Sequence, residues 1–184
     1  MPRSRPLVAP LCACALAVAL CVGARADEVS EVMRLHAAGH TAAALERAER
    51  HLAQSPRDAA MRFQRAVLLA DSGRTGRAIE AFTALTQDHP DLPEPYNNLA
   101  ALHASQGDFD RARSALELAL RSQPGYAPAH ENLADVYVAL ARRAYARTLL
   151  LEPANTSAAP KLALLRQLAV AAPALPSPSS PPTR

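Results

Sequence analysis

The sequence predicts an all-α fold, a solenoid of stacked helix pairs closed by a C-terminal capping helix, and three observations carry that prediction. The first is a fixed period. Gly39, Gly73 and Gly107 are 34 residues apart (73 − 39 and 107 − 73), and so are Pro56, Pro90 and Pro124, and Ala44, Ala78 and Ala112. Self-similarity at such a spacing marks a repeat array. The second is amphipathic patterning. Tyr96, Leu99, Ala100 and His103 form the i, i+3, i+4, i+7 stripe of one helix face, and Phe109, Ala112, Leu116 and Ala119 form another. The third is composition: 49% of the 184 residues are hydrophobic, yet aromatics make up 4% and Trp is absent. Ala and Leu supply the rest, which suits closely packed helices.

Residues 1–26 are expected to be a secretory signal peptide. Arg3 and Arg5 form a basic start, Leu7 to Val22 is apolar, and Ala24-Arg25-Ala26 is an A-x-A cleavage signal. The apolar run is short for a bilayer span. Its removal would take all three cysteines, Cys12, Cys14 and Cys21. The mature chain would then hold no disulfide, thiolate nucleophile or cysteine-bound metal. Arg3, Arg5 and Arg25 would leave as well, turning 20 Lys+Arg against 17 Asp+Glu into 17 against 17. The charge balance therefore does not point to nucleic acid.

The repeat domain is expected over 27–172. In the unit 27–58, Gly39, Ala44, Leu52 and Pro56 mark the second half, while EVSEVMRLHAA lacks a Leu-small pair. Such degeneration suits the end of a solenoid. The unit 59–92 carries Ala66, Leu69, Gly73, Ala78, Phe82 and Pro90; Arg65 stands where the next unit has Leu99, with Phe63 as compensation. Thr41 and Thr75 sit where second-helix N-caps are expected. The unit 93–126 is the most complete. Gln106-Gly107-Asp108 breaks its pattern, with Gly107 suited to positive φ and Asp108 to capping, and Pro124 ends it.

The unit 127–155 starts with Leu133, Ala134 and Tyr137 but is shortened, since Pro153 follows Pro124 by 29 residues (153 − 124) rather than 34. Between Ala127 and Leu151 the only Gly or Pro is Pro128, so one long helix is predicted over about 128–151, with a hairpin turning in two residues near Leu140 as the competing reading. A capping helix follows over 156–172, capped by Asn155 or Thr156, with Leu162, Leu165 and Leu168 on its buried face and Pro160 in its first turn. The tail 173–184 is Pro/Ser-rich and is expected to be disordered.

Tyr96, Leu99, Ala100, Ala112, Leu116 and Pro124, together with the period, resemble one unit of the tetratricopeptide repeat, with His103 where that family usually has Tyr. The chain is similar to short stand-alone secreted tetratricopeptide proteins of Gram-negative bacteria. The resemblance implies a right-handed superhelical solenoid whose first helices line a concave groove. The groove-facing places carry Phe63, Gln64, Val67, Asn97, Asn98, Ala101, Glu131, Asn132 and Asp135. It further implies a non-catalytic module binding a partner protein or peptide in that groove, in the periplasm or cell envelope. No cofactor, metal, nucleic acid or membrane span after signal cleavage is expected, and self-association is left open.

The residues themselves agree with that reading. Asn98 and Asn132 are 34 apart, and side-chain amides both donate to and accept from a peptide backbone, the equal alternative being that they only cap local structure. Glu131 and Asp135 would repel a terminal carboxylate, so a neutral or basic segment is favoured. Ala66, Ala100 and Ala134 should mark close helix contacts. No G-x-S-x-G elbow, phosphate-cradling loop or H-E-x-x-H is present. His36 and His40 have i, i+4 spacing, but Gly39 places a turn between them. Asp108/Asp110 and Glu46/Glu49 fit capping and a solvated face better than acid–base work. The competing reading is a lipid-anchored (Cys21), non-catalytic assembly factor in envelope or pilus biogenesis; a metal-binding or hydrolytic enzyme ranks last.

Overall fold

The computed structural model describes residues 28–168. The expected signal peptide, the three cysteines, the tail 173–184 and the last residues of the expected capping helix lie outside the described residues. Eight helices fill the described part: α1 (28–37), α2 (Thr41–Gln54), α3 (Ala59–Asp71), α4 (Thr75–Asp88), α5 (Pro93–Ser105), α6 (Phe109–Ser122), α7 (Ala127–Leu151) and α8 (Ala158–Gln167). From α2 onward each helix packs on the next, and α5 also packs on α7. No strand occurs among the described residues.

The period is built into the backbone. Gly39, Gly73 and Gly107 have φ of 81°, 72° and 77°, a conformation glycine adopts without a Cβ penalty. Beyond each glycine, the N–H groups of His40, Arg74 and Asp108 reach back 2.9 Å to the carbonyls of Leu35, Leu69 and His103. These bonds satisfy carbonyls that the helix ends leave free. The following caps differ. Asp108 Oδ1 accepts from the Arg111 N–H at 3.1 Å, and Asp58 caps α3 by accepting from the Met61 N–H at 3.1 Å. Thr41 and Thr75 do not cap. They are the first residues of α2 and α4, and the preceding cap residues, His40 and Arg74, make no side-chain cap bond.

The core follows the repeat. Ala44, Ala78 and Ala112 are fully buried, with Phe82 and Leu116 beside the last two. Phe63 fills the interior of the α3–α4 hairpin, its ring edge-to-face on Phe82 with centroids 5.6 Å apart. One register place uses a different contact in each unit. Where the third unit has Tyr96, whose hydroxyl donates to the Thr86 carbonyl at 3.4 Å, the first has Glu28 and the second Arg62. Glu28 accepts two bonds from Arg47, at 2.8 and 2.9 Å, tying α1 to α2. Arg62 pairs with Asp88 at 2.7 Å. The first two units are thus pinned by charge at a place where the third uses an aromatic ring.

α7 runs unbroken over 25 residues, as the missing turn requires. Ala66 and Ala100 are fully buried, but Ala134 is exposed, contrary to the expected close contact, and Tyr137 is half exposed. The reason is geometric. In complete units these two places pack on the second helix of the same hairpin, and α7 has none. α8 starts two residues later and ends earlier than expected. Asn155 holds its start, with Oδ1 accepting from the N–H groups of Ser157 and Ala158 at 3.1 and 2.7 Å. Leu162 is buried and Leu165 half-buried, but Leu168 lies just past the helix end and is exposed.

Candidate functional site: an amide-lined face on the first helices

The first helices of three consecutive units, α3, α5 and α7, carry the nine predicted groove residues. Phe63, Gln64, Val67, Asn97, Asn98, Ala101 and Asn132 are all buried, Asp135 is half-buried and Glu131 is exposed. α5 is enclosed most completely, with every residue from Pro93 to Leu102 buried. Phe63 belongs to the hairpin core described above.

The amides are engaged differently from the sequence expectation. Asn132 Nδ2 donates to Asn97 Oδ1 at 2.8 Å, a buried bond that joins α7 to α5. Asn98 Nδ2 instead donates to the Glu94 carbonyl of its own helix at 2.8 Å. The pair in contact is therefore 97/132, 35 residues apart and one step off the 34-residue period. The period itself is richer than the two asparagines. Gln64, Asn98 and Asn132 occupy one register place in three successive units, so the face carries a ladder of amides.

That ladder leaves bonding capacity unused. Gln64 Nε2 and Asn97 Nδ2 are buried donors, and Asn98 Oδ1 and Glu94 Oε2 buried acceptors, with no hydrogen-bond partner among the described residues. Glu94 was not anticipated from the sequence; its only signal is its place one turn before Asn98. Burial holds its carboxyl above the usual carboxylate range, against the pull of a backbone hydrogen bond. Nearby, burial and then the negative charge of Glu94 push the Tyr126 hydroxyl up to about 12. Buried polar atoms without partners are costly, so a face that keeps four of them is chemically poised for groups of the opposite kind.

The histidines are placed apart. His36 Nε2 lies 2.9 Å from Asp71 Oδ2, linking α1 to α3, and burial raises the Asp71 carboxyl despite that neighbour. His40 is the residue before α2, beyond the Gly39 turn. His51 Nε2 meets Asp58 Oδ2 at 2.9 Å. No cluster of three metal-ligating side chains occurs among the described residues, and no described helix is long and apolar enough to cross a membrane.

Stacked helix pairs punctuated by glycine turns define a helical-repeat scaffold. The chain matches the tetratricopeptide repeat over residues 29–120, half of its length, and it belongs to that family. The match ends within α6, before the unbroken α7. Over 79 residues the chain is 34% identical to the tetratricopeptide repeat domain-containing protein PYG7, chloroplastic, of Arabidopsis thaliana. That similarity covers 40% of this chain and 26% of the relative, so the match spans about a quarter of the relative's length. Among solved structures, MamA aligns with a TM-score of 0.55 at 20% identity, covering 73% of this chain and 81% of MamA. A tetratricopeptide repeat protein from Parabacteroides merdae aligns at 0.57 with 16% identity, covering 77% of this chain and 58% of that one. The Naa15/Naa10 complex bound to HypK-THB aligns at 0.54 with 20% identity, over 77% of this chain and 22% of the other. At these identities the likeness is one of fold, and the fold is consistent with a protein–protein interaction module.

Proposed function

We propose that the chain is an exported, non-catalytic interaction module that binds a protein segment in extended form on the face of α3, α5 and α7. One observation carries this reading: the two donors and two acceptors, on Gln64, Asn97, Asn98 and Glu94, buried without partners among the described residues. A peptide backbone offers both complements at regular spacing and independently of its side chains. A hydrogen bond formed in such dry surroundings is worth more than one at a wet surface. Because the atoms are buried, entry requires the face to open, and association should be slower than a diffusion-limited encounter. The basic start, apolar run and A-x-A sequence of residues 1–26 support export to the periplasm or cell envelope of a Gram-negative bacterium as a stand-alone secreted protein.

The test is a crosslinking pull-down from the periplasm with partners identified by mass spectrometry, run on the parent and on Gln64→Leu. Gln64 makes no side-chain hydrogen bond among the described residues, so Leu should leave the melting curve in place or raise it. The reading expects a partner that the parent retains and Gln64→Leu loses. Equal recovery of the same partners by both proteins would overturn it.

A further inference from the structure

A second surface, made of residues other than those of the amide ladder and independent of its reading, lies where α8 returns against α7. Phe109 of α6, Ala139, Arg142, Arg143 and Ala146 of α7, and Leu162 and Arg166 of α8 line a cleft of about 320 Å³. Its floor is apolar: Leu162 is buried, and Phe109, Ala139 and Ala146 are half-buried. Its rim carries three guanidinium groups. Arg143 is committed to Asp110, with Nη2 2.6 Å from Oδ2, and this pairing holds the Asp110 carboxyl below the usual range. Arg142 and Arg166 are exposed and have no hydrogen-bond or ion-pair partner among the described residues. The cleft thus holds three cations against one carboxylate.

The apolar stripe does not stop at the cleft. Ala139, Ala146 and Leu150 share one face of α7, with the ion-paired Arg143 between the first two, and Leu150 is 74% exposed. Two free guanidiniums beside an elongated aliphatic surface suit a ligand that is itself amphipathic and anionic. Guanidinium groups take carboxylates in paired hydrogen bonds, and the aliphatic floor rewards a neighbouring apolar side chain, which a lone phosphate does not have.

We infer that this cleft is a docking site for an acidic, leucine-bearing segment of a partner protein, its carboxylates on Arg142 and Arg166 and its aliphatic side chain over Leu162. The site differs from the concave face in position and in charge preference, so a partner could engage both.

The test uses the full chain and fluorescence anisotropy with a labelled peptide of about 12 residues, three helical turns, built from Glu-Glu-Leu repeats. A Lys-Lys-Leu peptide of equal length is the control. The acidic peptide should bind, weaken as salt rises, and lose at least about tenfold in affinity with the Arg142→Gln/Arg166→Gln double variant. Neither arginine has a described partner to lose, so the variant's melting curve should match the parent's. Ala146→Glu, which places a carboxylate inside the cleft, should block binding in the same way. Equal binding of both peptides, or full affinity in both variants, would overturn the inference. So would displacement by millimolar inorganic phosphate, or preferential binding to phosphatidylglycerol vesicles lost in the double variant, since either would make the ligand a phosphate group. Mass-dependent self-association abolished by the double variant would assign the cleft to a second copy and overturn it too.

Discussion

The bond between Asn132 and Asn97 decides whether the amide face is architecture or is free for a ligand, and a double-mutant cycle measures it. Asn132 Nδ2 and Asn97 Oδ1 are 2.8 Å apart, and both residues are buried. A neutral hydrogen bond contributes about 0.5–1.5 kcal/mol net, and orphaning its buried partner costs about 1–3 kcal/mol. Asn97→Ala leaves the Asn132 donor without its acceptor, and Asn132→Ala leaves the Asn97 acceptor without its donor. Each single substitution should therefore cost about 1–3 kcal/mol. Asn97→Ala should fall lower in that range, because it also removes Nδ2, a buried donor without a described partner. The double variant leaves no orphan from this pair and should cost less than the two singles together, with a coupling energy of about 1 kcal/mol or more. Urea unfolding followed by far-ultraviolet circular dichroism reads all four proteins. For a domain of this size each kcal/mol also moves the melting temperature by about 2–4 °C. Additivity within about 0.3–0.5 kcal/mol would refute the reasoning: the amides would then not be bonded to each other in solution, and both would be free for a partner.

Three further outcomes follow from the geometry. Gly107→Ala should destabilise by about 1–2 kcal/mol, because its φ of 77° is a left-handed conformation that a Cβ disfavours although nothing crowds the site; Gly76→Ala, in the first turn of α4 with open space around it, should instead stabilise by up to about 0.5 kcal/mol in the same melt. Glu94→Gln should raise the melting temperature at neutral pH. Burial raises the Glu94 carboxyl in the folded chain, so the folded state holds its proton to higher pH than the unfolded state, and stability falls as pH climbs from the ordinary carboxylate range through the folded value. The advantage of Gln should therefore shrink toward acid pH, and parallel melting curves across pH would contradict this. Ala100→Leu should cost about 1–3 kcal/mol by overpacking a fully buried place, whereas Ala134→Leu, at the same register on exposed α7, should change stability by less than about 0.5 kcal/mol; a matching loss in both would show the register to be wrong.

The repeat was legible in the sequence because its punctuation is intrinsic to single residues. A glycine that must take positive φ and a proline that must end a helix announce themselves without tertiary context. The shortfall of five residues before Pro153, with no glycine to make a turn, was legible for the same reason. The caps were legible where a carboxylate stood at the place, as at Asp108, and misread by one residue where a threonine stood next to it. What the period cannot carry is contact between units. The Asn97–Asn132 contact depends on how two first helices pack against each other, and pairing residues by period alone selects Asn98 instead. Glu94 was passed over because its burial comes from its surroundings and its residue type argues for exposure. The pairing of Arg142 with Arg166 was not legible because α8, which brings Arg166 to the cleft, belongs to no repeat and has no register place.

The same shortfall also explains how the array ends. At the register of Gly107 the fourth unit has Ala141, and at that of Asp108 it has Arg142. Alanine resists the left-handed turn, and arginine has no acceptor with which to cap a new helix. The chain therefore continues as α7 past the point where α5 stops. Ala134 and Tyr137 are left bare because the helix that should cover them does not fold back. A further repeat would need that second helix as a platform, so stacking cannot propagate in the established way. α8 packs on the extension instead, and the angle between the two creates the arginine-rimmed cleft. One deletion in a repeating pattern thus ends the solenoid, uncovers part of α7 and assembles a charged surface that no complete unit possesses.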